Sequence, residues 1–423
     1  MSNRAEATLS LAVGGLRDIA GGRTLSEVAD AFRDVTGGSS ATDILFKYFR
    51  CKSGIDRIVS ATLSAAGVSK VPGRTRRVLS VVFTQVFFQD GIAPESAANV
   101  AVGFIKRKAG ARASGFLNTI LRRAFESGVV SGSAPKSAVP ELPRRRWEIR
   151  GGGFAELARN SGVLLSSPPP LTFTASSAVS DSDLAALGCE ELVVPGLTED
   201  FRFFSSPEGA RVFATDWISR GWVQIRDPST VLFMVLLARV GCEDWRDGVV
   251  LDLCSAPGGK ALILAERMRS GGFLVAADAS ERRLSRVSEN FSRREFRTRV
   301  GLSVATALRP PFPRESADLV LLDVPCSNTG VFRRRPDAIW RFSEDSLASV
   351  VELQSRILSR SAELVVPGGL LVYSTCSLEN EENESGISKF LTGDGRFELL
   401  CQQTLLPGIS SDGGYAAVLR RRS

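Results

Sequence analysis

From about residue 226 onward the sequence alternates short apolar runs with amphipathic segments, and this alternation constrains the fold more than any other feature. Strand-like runs stand at 249–254, 273–278, 300–306, 317–324 and 369–374. Segments 260–268, 281–291 and 346–364 carry apolar residues at helical spacing. Strands that alternate with helices predict a largely parallel, doubly wound α/β sheet. Two last runs, 397–401 and 415–420, predict a hairpin that closes its edge.

The N-terminal part reads differently. Apolar residues recur at helical spacing over 25–32, 43–48, 55–66, 76–88, 95–106 and 115–125, with breaks such as Val71-Pro-Gly73. The expected organisation is an all-α domain over 1–135 and a linker over 136–150. A small α+β subdomain over 151–225 and an α/β domain over 226–423 follow. The linker expectation rests on Ser131-Gly-Ser-Ala-Pro-Lys-Ser-Ala-Val-Pro140 and Pro143-Arg-Arg-Arg146. Charge follows the same division: residues 1–150 carry a net +11 and the remainder −4. A basic helical domain suits a polyanion such as RNA. A solvated basic surface is the alternative.

Composition excludes several chemistries. The 423 residues include no histidine, so histidine-based triads, histidine-ligated metals and histidine proton shuttles are absent. Acid–base work falls to Asp, Glu, Lys, Cys or Tyr. The seven cysteines lack the spacing of a zinc site or a disulfide scaffold, so no metal is expected and a reducing cytoplasm is. No apolar run is long enough to span a membrane, and residues 7–16 lack the form of a signal peptide.

Val249-Val-Leu-Asp-Leu-Cys-Ser-Ala-Pro-Gly-Gly-Lys260 reads as strand, sharp turn and helix start. Gly258 and Gly259 allow close backbone approach to a ligand, and a helix N-terminus favours negative charge. The next strand ends at Asp278, where an acid can hold ribose hydroxyls. The loop has neither dinucleotide nor Walker spacing. S-adenosylmethionine fits better, with Cys254, Ser255, Ala256, Pro257, Gly258, Gly259, Lys260 and Asp278 as the expected binding residues. Cys326 and Cys376 each follow a strand-like run, and the two strands are expected side by side. Two thiols beside a cofactor loop suggest covalent chemistry on an electrophilic ring. Cys51, Cys189, Cys242 and Cys401 read as buried packing residues.

Three motifs carry a resemblance. Cys254-Ser-Ala-Pro-Gly-Gly-Lys260, Asp323-Val-Pro-Cys-Ser-Asn-Thr-Gly330 with Arg334-Arg-Pro-Asp337, and Ser374-Thr-Cys-Ser-Leu378 with Glu381-Glu-Asn-Glu384 resemble the RNA (cytosine-5)-methyltransferases of the Nop/Sun type. The nearest likeness is to the bacterial small-subunit ribosomal RNA enzymes, which carry an N-terminal NusB-like domain. Ser114-Gly-Phe-Leu-Asn-Thr-Ile-Leu-Arg-Arg123 resembles the end of that domain. The resemblance implies a Rossmann-like methyltransferase sheet, S-adenosylmethionine as cofactor and small-subunit ribosomal RNA as substrate, in a monomer. Transfer RNA, or a non-catalytic RNA-binding antitermination role, are the alternatives.

By this resemblance Cys376 is the nucleophile that adds to carbon-6 of cytosine, and Cys326 assists release of the methylated product. Asp323 holds the pyrimidine at nitrogen-3 and is expected among the cofactor-binding residues as well, and Lys260 supplies positive charge that favours a thiolate. Arg333-Arg-Arg335 with Trp340-Arg341 suits RNA phosphates and base stacking. Glu379 to Glu384 is expected to cap and start a helix, with no chemistry of its own. Two positions depart from the family pattern. Thr306 stands where an acid usually meets the adenine, which predicts weaker cofactor affinity, and Arg226 stands where glutamine is expected.

Overall fold

The computed structural model describes residues 2–128, 134–197, 201–206 and 209–423. The chain divides into two compact units, residues 1–168 with 332–341 and residues 169–331 with 342–423.

The first unit is helical: α1 (Ser2–Ala20), α2 (Leu25–Ala31), α3 (Gly38–Arg50), α4 (Lys52–Ala65), α5 (Gly73–Phe88), α6 (Pro94–Glu126), α7 (Glu141–Arg150) and α8 (Gly152–Ser166). Leu9, Leu16, Val28, Ile44, Leu45, Val82 and Phe83 are buried in one shared core. The two segments expected at 95–106 and 115–125 run together as α6. They meet at a kink where Gly110 takes φ 87°, a conformation open mainly to glycine. The expected linker differs too. Residues 131–133 lie outside the described residues, but 141–150 form α7, with Trp147 buried against Phe332 at 5.8 Å between ring centroids. Pro140 precedes this helix and Pro143 sits in its first turn, where a missing N–H breaks no helical bond. Residues 152–166, expected within the α+β subdomain, form α8 of the helical unit.

In the second unit β1 (Leu171–Ala175), β2 (Glu190–Leu192), β3 (Phe203–Ser206) and β4 (Val223–Ile225) form an antiparallel sheet of order β2-β3-β1-β4. Helices α9 (Asp181–Ala186) and α10 (Gly209–Phe213) accompany it. The larger sheet contains β5 (Val249–Asp252), β6 (Phe273–Asp278), β7 (Arg299–Val304), β8 (Ala317–Asp323), β9 (Val365–Thr375), β10 (Phe397–Leu405) and β11 (Gly414–Arg421). Its order is β10-β11-β9-β8-β5-β6-β7. The five strands β5 to β9 are parallel, whereas β11 is antiparallel to both β9 and β10. The expected closing hairpin is present, with its second strand inserted beside β9.

The remaining helices are α11 (Leu232–Val240), α12 (Gly259–Arg267), α13 (Glu281–Ser292), α14 (Ala338–Arg341), α15 (Glu344–Ala362) and α16 (Glu384–Gly393). Alternate residues of the sheet feed two cores. Val250, Leu274, Leu319, Leu321 and Val372 belong to one, and Leu251, Val275, Val320, Leu322 and Leu371 to the other. Burial on both faces explains why these strands read as continuous apolar runs. The chain order reverses between β5 and β8, and ligands in such sheets gather at the carboxyl ends of strands beside that point.

Residues 332–341 belong to the helical unit, and of the Arg333–Arg335 and Trp340-Arg341 residues expected to meet RNA, Arg335 and Arg341 remain exposed whereas Arg333 and Trp340 bond to their own chain. Arg333 is 3% exposed and donates to the Pro168 carbonyl at 3.1 Å. Trp340 donates through Nε1 to the Phe49 carbonyl at 2.9 Å. Asp337 is buried, accepts the Leu25 N–H at 3.1 Å and pairs with Arg341 at 3.0 Å. The carboxylate thereby meets one of the free N–H groups at the start of α2. A basic and aromatic run has the same composition whether it meets RNA or its own chain. The structure shows the second outcome for Arg333 and Trp340.

Candidate active site

Four acidic or thiol-bearing strand ends converge on one edge of the large sheet. Asp252 ends β5, Asp278 ends β6, Asp323 ends β8, and Cys376 follows β9. Asp323 pairs in register with Ser374, so the Cys326 and Cys376 loops leave adjacent strands together. The backbone N–H of Cys376 points at the Cys326 sulfur at 3.3 Å. Further bonds join the loops: Gly330 N–H to the Cys376 carbonyl at 2.9 Å, and Leu378 N–H to the Thr329 hydroxyl at 2.9 Å. Asn328 takes a left-handed φ of 61° and donates its side-chain amide to the Cys326 carbonyl at 2.8 Å. Asparagine tolerates that conformation through such local bonds.

Lys260 stands in the first turn of α12, largely buried, with Nζ 2.7 Å from an Asp323 oxygen. Burial pulls its pKa down, but Asp323, the Cys376 thiol and Asp252 more than offset this and hold it above the ordinary lysine value. Cys326 is held well above the ordinary thiol value by its hydrogen bond with Cys376, then by burial and by the charges of Cys376 and Glu382. Cys326 therefore stands as a neutral thiol. Cys254 is also raised, by burial and then by Asp252, Asp323 and Asp278, which makes it unreactive.

The turn 254–260 is supported from three sides. Ser255 N–H bonds the Ala277 carbonyl at 2.9 Å, Ala256 N–H bonds Asp278 at 3.3 Å, and Asn290 donates to the Pro257 carbonyl at 2.9 Å. Gly258 takes φ 98°, and a Cβ there would come within 3.1 Å of Val287, while one on Gly259 would meet open space. Asp278 is buried and also accepts Ser280 N–H at 2.8 Å and an Arg283 nitrogen at 2.7 Å. Asp252 is fully buried, and no hydrogen bond of good geometry reaches either carboxylate oxygen or the Ser255 hydroxyl, although looser contacts with Ser255 and the Cys254 N–H partly favour the charged form. Burial, followed by the charge of Asp323, pushes Asp252 up to about 7. Buried oxygens without well-formed bonds at the strand edge, beside open space over Gly259, fit a ligand that brings hydrogen-bond donors.

Asp252 and Asn290 were given no role in the sequence reading, and Glu382, expected to help cap and start a helix, is instead buried ahead of α16, which begins at Glu384. Thr306 sits exposed after β7, its hydroxyl accepting Leu308 N–H at 3.3 Å. Arg226 lines a cavity of about 220 Å³ beside Pro257 and Gly259, and burial lowers its pKa to about 10. Among the described residues no helix is long and apolar enough to cross a membrane.

A sheet of this order, with a Gly-Gly turn after β5, defines a Rossmann-like methyltransferase domain. Residues 242–413 match the family described as 16S rRNA methyltransferase RsmB/F, and residues 18–126 match the NusB family. The α/β region is thus similar to the RsmB/F methyltransferases and the helical region to the NusB family. The chain is similar to the ribosomal RNA small subunit methyltransferase B of Vibrio cholerae, 38% identical over 211 residues, 48% of this chain and 47% of that one. It is similar also to the Klebsiella pneumoniae protein of the same name, 36% identical over 223 residues, 51% of this chain and 50% of that one. The chain spans about half the length of the curated relatives it matches. Among solved structures, PH0851 shares the fold with a TM-score of 0.75 at 22% identity, over 100% of this chain and 99% of that one. A methyltransferase homolog from Pyrococcus horikoshii reaches 0.51 at 25% identity, over 67% of this chain and 99% of its own.

Proposed function

We propose that this chain transfers a methyl group from S-adenosylmethionine to carbon-5 of a cytosine in RNA, small-subunit ribosomal RNA being the substrate. The observation that carries the reading is the grouping of Cys376, Cys326, Asp323 and Lys260 at the carboxyl edge of adjacent parallel strands. The family matches and the curated relatives support methylation of ribosomal RNA. The exposed Lys106, Lys108 and Arg112, around the α6 kink, support contact of the helical unit with RNA phosphates.

Carbon-5 of cytosine is a weak nucleophile until something adds at carbon-6. The Cys376 thiolate, favoured by Lys260, forms a carbon–sulfur bond there and drives electron density toward carbon-5. Asp323 holds nitrogen-3 of the ring. The cofactor supplies an electrophilic methyl group. After transfer the carbon-5 proton leaves to a base, and its electron pair expels the Cys376 sulfur, with Cys326 assisting release. The turn 254–260, Asp278, and the weakly bonded oxygens of Asp252 and Ser255 would hold the cofactor. In this reading the chain works in the cytoplasm, as a monomer, and a target base in structured RNA must be flipped out or already unpaired.

The test incubates the protein and its Cys376→Ala variant with labelled S-adenosylmethionine and either small-subunit ribosomal RNA or transfer RNA. Nucleoside mass spectrometry reads the product. Labelled 5-methylcytidine in ribosomal RNA alone, lost in the variant, is the expected result. Product in transfer RNA would change the substrate. Cofactor binding with no product in either RNA, or in small-subunit particles, would favour a non-catalytic RNA-binding factor.

A further inference from the structure

Glu382 has no task in the scheme above, yet its surroundings are specific. The residue is 1% exposed. Its carboxylate accepts the Ser327 N–H at 2.8 Å, the Ser327 hydroxyl, the Ser377 hydroxyl and the Gln354 side-chain amide at 2.9 Å. Ser327 directly follows Cys326, and Ser377 directly follows Cys376. One buried carboxylate therefore receives bonds from both thiol loops. Gln354 of α15 also donates to the Pro325 carbonyl at 2.8 Å, so Gln354 and Glu382 bracket Pro325, Cys326 and Ser327. The Tyr373 hydroxyl donates to the Glu382 carbonyl at 2.8 Å and fixes the backbone behind the carboxylate.

A buried carboxylate is costly and persists only where its bonds are complete. Leucine or methionine of similar volume would pack the same space without that cost, but could not tie two loops in one register. We propose that Glu382 is a positioning residue that joins the two thiol loops and sets where the Cys326 sulfur stands relative to Cys376. This rests on the reading of both thiols as reactive groups. The carboxylate also adds to the forces that hold Cys326 as a thiol, after the Cys376 hydrogen bond, burial and the Cys376 charge.

Two measurements on the full chain test it. Dibromobimane, which becomes fluorescent on bridging two nearby thiols, should link Cys326 to Cys376 in the parent protein, as located by peptide mapping. Glu382→Gln should cut that yield several-fold while S-adenosylmethionine affinity stays within about twofold. In the methylation assay Glu382→Gln should lower kcat at least about tenfold with little change in the RNA KM. In a Cys326→Ala background the same substitution should lower kcat no further, because Glu382 acts through Cys326. Ser377→Ala, which removes one bond, should move both readouts the same way by less. Parental crosslinking in Glu382→Gln would overturn the proposal, as would an equal fall in kcat with Cys326 absent. A parent that crosslinks but methylates no RNA would remove the proposed function and leave the positioning role to be judged by crosslinking.

Discussion

Lys260 Nζ and Asp323 Oδ2 lie 2.7 Å apart at the mouth of the sheet, with the lysine largely buried. The buried lysine charge is costly there without the Asp323 carboxylate beside it. Lys260→Met should leave Asp323 without its ion pair and remove positive charge beside Cys376. The expected results are at least a tenfold loss in kcat and a shift of Cys376 alkylation by iodoacetamide toward higher pH. Rate against pH, with peptide mapping, checks the second. The raised lysine value stabilises the fold fully below its unfolded value near pH ~10.4, and that contribution fades only as pH rises through the folded value. Melting between pH 6 and 9 should therefore not report it.

Asp252 should dominate the pH dependence of stability between about pH 4 and 7. Its carboxyl rises from the ordinary 3.8 to about 7 in the fold, so the folded chain holds a proton that the unfolded chain has released. Stability should fall as pH rises from about 4 to 7 and then level, by up to about 4 kcal/mol. Asp252→Asn should remove that slope and melt higher than the parent at pH 8, with little difference at pH 4. Thermal melts without ligand decide it, and parallel curves would refute the assignment.

Gly330 is held where the two thiol loops meet the 413 turn. A Cβ there would lie 2.6 Å from the Gly413 carbonyl oxygen and 2.9 Å from that of Cys376. Both obstacles are backbone, so Gly330→Ala must displace a loop. A destabilisation of about 1–3 kcal/mol is expected, with dibromobimane crosslinking of the thiols also reduced. Denaturant titration beside the crosslinking assay measures both.

Thr306→Asp should tighten S-adenosylmethionine binding several-fold in calorimetry, because a carboxylate accepts hydrogen bonds more strongly than a hydroxyl. Unchanged affinity would mean that this position does not meet the cofactor.

In the helical unit, Asp337→Ala should cost about 1–3 kcal/mol, since it leaves the Leu25 N–H and Arg341 without their carboxylate. Urea titration of the full chain provides the test.

The α/β sheet was legible because its strands are buried on both faces, and their apolar runs differ sharply from the flanking helices. The observed β6, 273–278, coincides with the sequence reading, and the others shift by a few residues at their ends. Neighbouring strands also made the pairing of the Cys326 and Cys376 loops foreseeable. Helix α1 falls within the domain read as all-α but was not singled out as a segment, and Gly14-Gly15 weakens local helix propensity there. Its reason is tertiary: a Cβ on Gly15 would lie 2.7 Å from Leu45, so the glycine permits close helix packing. Glu382 was hidden for another reason. Its partners Ser327 and Gln354 are 55 and 28 residues away, and no local pattern announces a bond across that separation. Asp252 read as an ordinary strand residue because nothing in sequence shows that a buried acid lacks a well-formed hydrogen bond.

The excursion of residues 332–341 bears on how such a protein can be divided. A fragment ending at residue 168 would lack a piece of its own interior, including the Asp337 carboxylate at the start of α2 and the indole bonded to Phe49. The complementary fragment would carry Phe332, Ala338 and Ile339, buried in the intact chain, as orphaned apolar side chains in a surface loop. A single cut at the boundary therefore yields two incomplete pieces. Recombination, truncation or domain exchange in this chain should succeed only when the ten-residue insert travels with the helices it completes.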